Sequence, residues 1–262
     1  MLKKDEIITF IINHFFTINK DLREREKLYW DRFWKDKISS KEFSELDYWF
    51  QKKVYARMHN YFLSILGDVN GKKILEAGCG SGYANILLLQ EGACCTLMDS
   101  SELALEYSKN LFKKIGVDKN KNKIEYTLGN VEKIPFDDNS FDIVHNCGVV
   151  EHYDDKEIKK ILFEMKRITR KGGQIIVVVP NLLSLEIIYR MIKFGKGSER
   201  YISKSTLKNL LKEVGLINVE VKSAHASVLP SFIPKIIHNK FLWLDNIFIY
   251  WDYLFYGCGF KK

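Results

Sequence analysis

The sequence predicts an α/β protein built on a doubly wound, mostly parallel sheet. From Lys72 onward, short apolar runs of strand length alternate with segments of helical periodicity. The helical segments end near a glycine, at Gly92, Gly116 and Gly172, as helices tend to end. Strand–helix–strand repetition of this kind builds a parallel sheet with helices on both faces.

The predicted strands are short and apolar, as buried parallel strands are. In chain order they are 72–77 (KKILEA), 94–98 (CCTLM), 123–128 (KIEYTL), 141–146 (FDIVHN) and 174–179 (QIIVVV). The helices between them are predicted over 83–92, 101–116 and 155–173. A helix ending at Gly215, a strand running to about Ala224 and a last strand near 256–261 complete the pattern.

The size and composition suit one α/β domain with additions. The chain has 262 residues, of which 46% are hydrophobic and 28% are charged. We predict the domain over 71–262, with interruptions at 181–202 and 230–254. Residues 1–70, rich in aromatic and charged side chains, are predicted to form a helical N-terminal extension.

Cysteine usage and hydropathy predict a cytoplasmic setting. The five cysteines are odd in number, and none is spaced C-x-x-C. The N-terminus begins MLKKDEII, with acidic residues before a short apolar run, which is unlike a signal peptide. No uninterrupted apolar run approaches the roughly 20 residues of a membrane-spanning helix.

The net charge of +8 raises nucleic acid or an anionic membrane surface as partners. The lysines are scattered among acidic residues, which favours a solvated basic surface. The apolar, aromatic stretch 231–255 is predicted to pack in the core or the substrate pocket, and peripheral membrane contact is the alternative. The oligomeric state is left open.

A glycine-rich turn, EAGCGSG, joins the first predicted strand to the first helix. Its glycines, Gly78, Gly80 and Gly82, allow the backbone to turn sharply and leave room for a ligand against the main chain. The helix that follows begins with free N–H groups, which suit a nucleotide-like ligand. The spacing G-x-G-x-G differs from the G-x-G-x-x-G of nicotinamide dinucleotide sites.

Three further segments match motifs of a known protein family. They are LMDSS with Asp99, GNVEKIPFDDNSFDIV over 129–144, and HNCGVVEHYDD over 145–155. Together with E-x-G-x-G-x-G, they resemble class I S-adenosylmethionine-dependent methyltransferases, of the methyltransferase type 11/25 kind. The resemblance spans 72–180 and extends more loosely to about Ala224. It implies a seven-stranded Rossmann-like sheet.

The resemblance implies that the cofactor is S-adenosylmethionine, with S-adenosylhomocysteine as product. Asp99 would accept hydrogen bonds from both ribose hydroxyls, although Asp99, Ser100 or Ser101 would also suit the N-cap of the next helix. Asn130 stands where the family usually has aspartate, and its amide oxygen would accept a hydrogen bond from the adenine amino group. The predicted cofactor-binding residues are Glu76, Gly78, Cys79, Gly80, Gly82, Asp99, Ser100, Asn130, Val131, Asn146 and Cys147.

The candidate catalytic residues are Glu151, His152 and Tyr153, which the resemblance places at the edge of the substrate cavity. A histidine with a pKa near 6.5 would take a proton from an attacking hydroxyl or amine, and capping or packing is the alternative role. One family branch holds a metal through E-x-x-E-H, but Gly148 replaces the first glutamate here, so no metal site is predicted.

The predicted function is methyl transfer to an oxygen or nitrogen of a small molecule or biosynthetic intermediate, with the acceptor unidentified. An RNA or protein methyltransferase, which only the net charge favours, is one alternative. A non-catalytic cofactor-binding subunit is the other. The resemblance also implies that the N-terminal extension forms a lid, with Tyr29 or Trp30 over the pocket, and that 181–202 and 230–254 are insertions on the substrate side.

Overall fold

The computed structural model describes residues 22–39, 62–117, 123–181, 199–223 and 254–262. Most of the predicted extension over 1–70 and of the two predicted insertions lies outside the described residues. The side chain of Tyr29 and nearly all of the stretch 231–255 lie outside them as well. The domain boundaries and the membrane contact therefore stay predictions.

The described residues form one seven-stranded sheet. The strands are β1 (Lys73–Ala77), β2 (Cys94–Asp99), β3 (Ile124–Leu128), β4 (Phe141–Cys147), β5 (Thr169–Pro180), β6 (Leu216–Ser223) and β7 (Leu254–Lys261). Their order across the sheet is β3-β2-β1-β4-β5-β7-β6. β7 runs antiparallel to β5 and to β6, and the pairs β1–β2, β1–β4, β2–β3 and β4–β5 are parallel. The predicted doubly wound sheet is confirmed.

Helices cover both faces of the sheet. They are α1 (Leu22–Ser39), α2 (Tyr83–Gln90), α3 (Glu102–Lys114), α4 (Asp155–Ile168) and α5 (Lys204–Glu213), with a further helical segment over 62–66. The segment 62–66, α2 and α3 pack in one hydrophobic core, and α4 and α5 pack in the other. No helix in the described ranges is both long and apolar enough to span a membrane.

The strands are continuous apolar runs because both faces of the sheet are buried. Successive side chains of a strand point to opposite faces, so Ile74 and Leu75 of β1 enter different cores. Both side chains are fully buried. A residue of β1 or β4 that is not apolar is therefore buried as well, unless it lies at the end of its strand.

The helix predicted over 155–173 is shorter in the structure, and this part of the prediction is wrong. α4 ends at Ile168, and Thr169 begins β5 by pairing with Phe141 of β4. The Thr169 hydroxyl donates a 2.6 Å hydrogen bond to the carbonyl of Met165 at the end of the helix. At Gly173 a Cβ would lie 2.7 Å from the carbonyl oxygen of Asp142, so the two strands approach too closely for a side chain.

Arg167 joins α4 to the segment between β3 and β4. Its guanidinium donates to the carbonyl oxygens of Ile134 and Phe136 at 2.9 and 2.8 Å. It also pairs with the carboxylates of Glu164 and Asp138, each at 2.9 Å. One side chain thus fixes the loop that follows Asn130.

We expect Arg167→Leu to lower the free energy of unfolding by about 1–3 kcal/mol, because two carbonyl oxygens lose their donor and Glu164 loses its partner. Urea denaturation measures the change. Arg170→Leu is the control, since Arg170 is more than half exposed and pairs only with Asp142 among the interactions described. An exposed pair contributes about 1 kcal/mol or less. Equal losses in the two variants would contradict the assignment.

Candidate active site

The glycine turn lies between β1 and α2, at the carboxyl edge of the sheet. Gly78, Gly80 and Gly82 have φ angles of +80°, +50° and +64°, a backbone region that side chains disfavour. A Cβ at Gly82 would lie 2.1 Å from Leu97 Cδ2, so this glycine is needed for packing. At Gly80 the nearest atom to a Cβ would be the Trp34 ring, at 3.1 Å. Gly80 therefore presents bare backbone toward α1.

Asp99, the last residue of β2, is hydrogen-bonded to this turn. Its Oδ2 accepts the N–H of Gly80 at 2.8 Å, and its Oδ1 accepts the N–H of Ser101 at 3.0 Å. Burial raises the pKa of the carboxyl group, and these backbone donors oppose the rise. The carboxylate has about four acceptor sites for the backbone N–H groups of Gly80, Ser100 and Ser101, so capacity remains to accept from a ribose hydroxyl.

Ser101 caps the helix that follows Asp99. Its side chain accepts the N–H of Ala104 at 3.4 Å and lies at the N-cap of α3. Asp99 is therefore not the cap, and the N-cap is one of the two serines predicted as alternatives to it. Ser100 lies between them and is exposed.

Helix α1 lies over the glycine turn and the start of α3. Asp31 Oδ1 accepts a 3.0 Å hydrogen bond from the Ser101 hydroxyl. Trp34, which is 9% exposed, has its ring against Gly80 and 5.2 Å from the ring of Tyr107. The sequence predicted Tyr29 or Trp30 over the pocket, and in the structure it is Trp34 that lies over the glycine turn.

The same helix contacts the predicted catalytic segment. The ring of Trp30 lies 6.1 Å from that of His152, edge to face. His152 ends a single 3-10 turn over Val150–His152 that follows β4. α1 therefore extends from the glycine turn to the loop after β4.

The predicted adenine-side residues lie on the loop after β3. Asn130 is exposed, and its Oδ1 accepts the N–H of Glu132 at 2.8 Å. That oxygen keeps one further acceptor site. Val131 is buried in the core beside Met98 and offers only its backbone to a ligand.

The remaining predicted cofactor residues lie where β1 and β4 end. Cys79 is buried and Cys147 is partly buried, and desolvation raises the pKa of both thiols. Asn146 turns its side chain the other way, where Nδ2 donates to Met165 Sδ at 3.4 Å. Only the backbone of Asn146 can therefore serve the site.

Glu76 belongs to a buried polar group with Asn85 and His145. The sequence predicted only Glu76 as a site residue. One carboxylate oxygen accepts a hydrogen bond from Asn85 Nδ2, and the other lies 4.0 Å from His145 Nδ1. Glu76 and His145 are 4% and 1% exposed, and they face each other in the β1–β4 register. Burial raises the pKa of Glu76 to about 8 and lowers that of His145 to about 3, so both are mainly neutral at pH 7.

A cavity of about 130 Å³ lies beside this pair. It extends from the glycine turn past the ends of β1 and β4 toward β5 and β7. Its lining consists of Phe62, Glu76, Cys79, Ser81, Tyr83, Ala84, Leu87, His145, Cys147, Val178 and Tyr256.

The three predicted catalytic residues lie apart from the cavity lining. Glu151 is 2% exposed, and its backbone carbonyl accepts the N–H of Arg200 at 2.9 Å. Tyr153 packs against the core of the opposite sheet face. A catalytic role for Glu151, His152 or Tyr153 therefore stays a prediction. In the described part of the chain, no three His, Cys, Asp or Glu residues are grouped so as to hold a metal ion.

Comparison with protein families identifies the domain. The family described as "Methyltransferase domain" matches residues 75–177, from β1 into β5. The matched range contains the glycine turn, Asp99 and the loop with Asn130. The predicted resemblance is thus confirmed: residues 75–177 are a methyltransferase domain, of the class whose methyl donor is S-adenosylmethionine.

Relatives and solved structures agree with this result. The mitochondrial ubiquinone biosynthesis O-methyltransferase of Schizosaccharomyces pombe is 29% identical over 164 residues, which cover 58% of this chain and 58% of the relative. The ubiquinone biosynthesis O-methyltransferase of Nitrosomonas europaea is 23% identical over 202 residues, covering 70% and 83%. A structure of a Haloferax volcanii Trm112 activator complexed with a methyltransferase matches the fold with a TM-score of 0.62, at 16% identity, covering 89% and 97%.

We expect Asp99→Ala to weaken binding of S-adenosylhomocysteine by about 1–3 kcal/mol, because charged hydrogen bonds to the ribose are lost. Isothermal titration calorimetry measures the affinity. Asp137→Ala, which removes an exposed carboxylate from the loop before β4, is the control and should bind like the wild type. Unchanged affinity in a folded Asp99→Ala protein would show that Asp99 only holds the turn.

Glu76 and His145 are both buried, and they make the free energy of unfolding depend on pH in opposite directions. The Glu76 pKa rises from 4.5 to about 8 on folding, so the folded state binds the extra proton and stability falls as pH rises through this window. The His145 pKa falls from 6.5 to about 3, so the unfolded state binds the extra proton and stability rises with pH up to 6.5. The two contributions cancel between 4.5 and 6.5 and leave a net fall from 6.5 to about 8.

We therefore expect Glu76→Gln to remove a fall of about 1.4 kcal/mol per pH unit in that upper window. Urea denaturation of both proteins between pH 5 and 9 measures the difference in slope. His145→Gln should keep the fall, because it leaves the buried carboxyl group in place. Parallel profiles for the wild type and Glu76→Gln would show that Glu76 ionises normally.

Proposed function

We propose that this protein transfers a methyl group from S-adenosylmethionine to an oxygen or nitrogen of a small molecule. The observation that carries the proposal is the bond from the Gly80 N–H to the Asp99 carboxylate, 2.8 Å long, which joins two matched motifs at one edge of the sheet. It places a bare turn of backbone beside a carboxylate with free acceptor sites. That combination suits a ligand with both a ribose and a charged amino-acid end.

The residues of this edge fit the cofactor in type and placement. The turn at Gly80 would hold the amino-acid portion, Asp99 the ribose hydroxyls, and Asn130 with the backbone of Val131 the adenine. When bound, S-adenosylmethionine supplies a methyl group made electrophilic by its sulfonium sulfur. The protein then has to orient the acceptor and exclude water.

Helix α1 supports the exclusion of water. Trp34 covers Gly80, and the Asp31–Ser101 hydrogen bond, 3.0 Å long, fastens the helix to the start of α3. The cofactor has to enter beneath or beside this helix. We therefore assign α1 the role of a lid over the cofactor edge.

The choice of a small-molecule acceptor rests on the names of two relatives, because a cavity of about 130 Å³ would also take a single group of a larger acceptor. An oxygen acceptor is supported by the names of the two relatives, both O-methyltransferases. The names of these relatives indicate only the type of reaction, because this chain spans 58% of the length of the first one.

Tritiated methyl transfer tests the proposal. The purified protein, with labelled S-adenosylmethionine, should label a component of a metabolite extract, and Gly80→Val should not, because its side chain would fill the space over the turn. Gly116→Val is the matched control: it also has a positive φ, +74°, with no atom within 4 Å of a Cβ, so it should retain transfer.

The other outcomes separate the alternatives. Label found only in RNA or in protein would replace the small-molecule acceptor by a macromolecular one. S-adenosylhomocysteine binding with no transfer to metabolite, RNA or lipid extracts would favour a non-catalytic subunit. A rise in melting temperature with a nicotinamide cofactor and none with S-adenosylmethionine would contradict the assigned cofactor.

A further inference from the structure

We propose that Glu76 carries a proton when no cofactor is bound, and that it releases this proton to solvent when the charged amino-acid end of the cofactor enters the neighbouring cavity. Binding then replaces the O–H bond of the Glu76 carboxyl group by an ion pair between the carboxylate and the ammonium group of the cofactor. The inference deepens the proposed function and rests on it. Its consequence is that the protein binds its cofactor more weakly as the pH falls.

Glu76 lies beside the part of the site that is assigned to the amino-acid end. It is in β1, and the glycine turn begins two residues later, at Gly78. Its side chain is 5% exposed, and it lines the same cavity of about 130 Å³ as Cys79 and Ser81 of the turn. An amino-acid end held against the turn would therefore lie next to the cavity that Glu76 lines.

The described surroundings of Glu76 contain no cation. Neither Lys nor Arg occurs among the described residues that line the cavity. The base beside the carboxyl group is His145 of β4, 4.0 Å away, and burial lowers its pKa to about 3, so it is neutral at pH 7. The other titratable groups described near Glu76 are acids: the carboxyl group of Asp99, the thiols of Cys79, Cys95 and Cys147, and the phenols of Tyr83 and Tyr256. An ionised Glu76 would therefore be a buried charge without a counterion.

Asn85 of α2 can satisfy Glu76 in both of its forms. Asn85 is fully buried, and its Nδ2 donates a hydrogen bond to one oxygen of the Glu76 carboxyl group. Its Oδ1 is buried and accepts no hydrogen bond from the described residues. A half-turn of the amide would bring Oδ1 to the carboxyl group, where it would accept a hydrogen bond from a protonated Glu76. The same neighbour therefore suits Glu76 before and after the proton leaves.

These surroundings set the pH range in which the proton is released. Burial raises the pKa of Glu76 from 4.5 to about 8, the hydrogen bond from Asn85 opposes this rise, and the nearby charge of Asp99 adds to it. Glu76 is therefore mainly protonated at pH 7 without cofactor. An ammonium group in the cavity supplies the missing counterion and favours the carboxylate. Because the cofactor-bound protein then holds fewer protons than the free protein, the affinity rises with pH up to about 8.

Isothermal titration calorimetry of the whole protein with S-adenosylhomocysteine counts the released proton. Titrations at pH 7 in phosphate and in Tris differ in their measured enthalpy by the heat with which each buffer takes up that proton. We expect the wild type to release about one proton, because Glu76 is mainly protonated before binding and ionised after it. Glu76→Gln should bind more weakly and release none, since it has no carboxyl group to ionise.

Two controls assign the proton to Glu76 and to the amino-acid end. His145→Gln removes the neighbouring imidazole and should release the same proton as the wild type. 5′-Methylthioadenosine, which has the adenosine and the sulfur but lacks the amino-acid end, should bind the wild type without proton release. Equal release with both ligands, unchanged release from Glu76→Gln, or no release from the wild type with S-adenosylhomocysteine overturns the proposal.

The pH dependence of the wild-type affinity is a second measurement, which decides the question if Glu76→Gln does not fold. The Kd for S-adenosylhomocysteine should rise about tenfold from pH 7 to pH 6, and that for 5′-methylthioadenosine should stay constant. A Kd for S-adenosylhomocysteine that does not change with pH overturns the proposal as well. Failure of the proposed function is distinct, because the wild type would then bind S-adenosylhomocysteine at neither pH.

Discussion

The hydrogen bond from the Gly80 N–H to the Asp99 carboxylate is the interaction on which the rest of the site depends. It spans 2.8 Å between the turn after β1 and the end of β2, and so fixes the glycine turn on the sheet edge. The turn also sets where α2 begins and where Trp34 of α1 packs. Without this bond, the turn would no longer be held at the end of β2.

The parallel register makes a second constraint possible. β1 and β4 are neighbours, and their pairing brings Glu76 opposite His145. Both side chains enter a face that elsewhere carries only apolar residues of these strands, so neither is solvated. A buried polar pair of this kind lowers the stability of the protein. Such a cost is expected at a functional site, and the pair lines the cavity. The glycine turn and the cavity thus share the ends of the same two strands.

The sequence alone predicts the fold and the glycine turn, but it does not predict the cavity. Apolar runs and glycines predict the strands and turn because they reflect burial and backbone shape within one segment. His145 lies two residues from Ile143 and Cys147 on one face of β4, but its link to Glu76 needs the strand order, which no single segment contains. Trp34 was missed because an aromatic residue at helical spacing has the same pattern whether it packs in a core or on a cofactor turn. The end of α4 was misplaced because Gly172, the glycine predicted to end the helix, lies inside β5 instead, where its φ is +72°.

A crystal structure of the protein with S-adenosylhomocysteine tests the central claim most directly. We expect ribose hydroxyls on the Asp99 carboxylate, the amino-acid end against the Gly80 turn, and the sulfur near the ends of β1 and β4. The adenine should lie by the loop of Asn130. A ligand that binds away from the Gly80–Asp99 bond would contradict the claim.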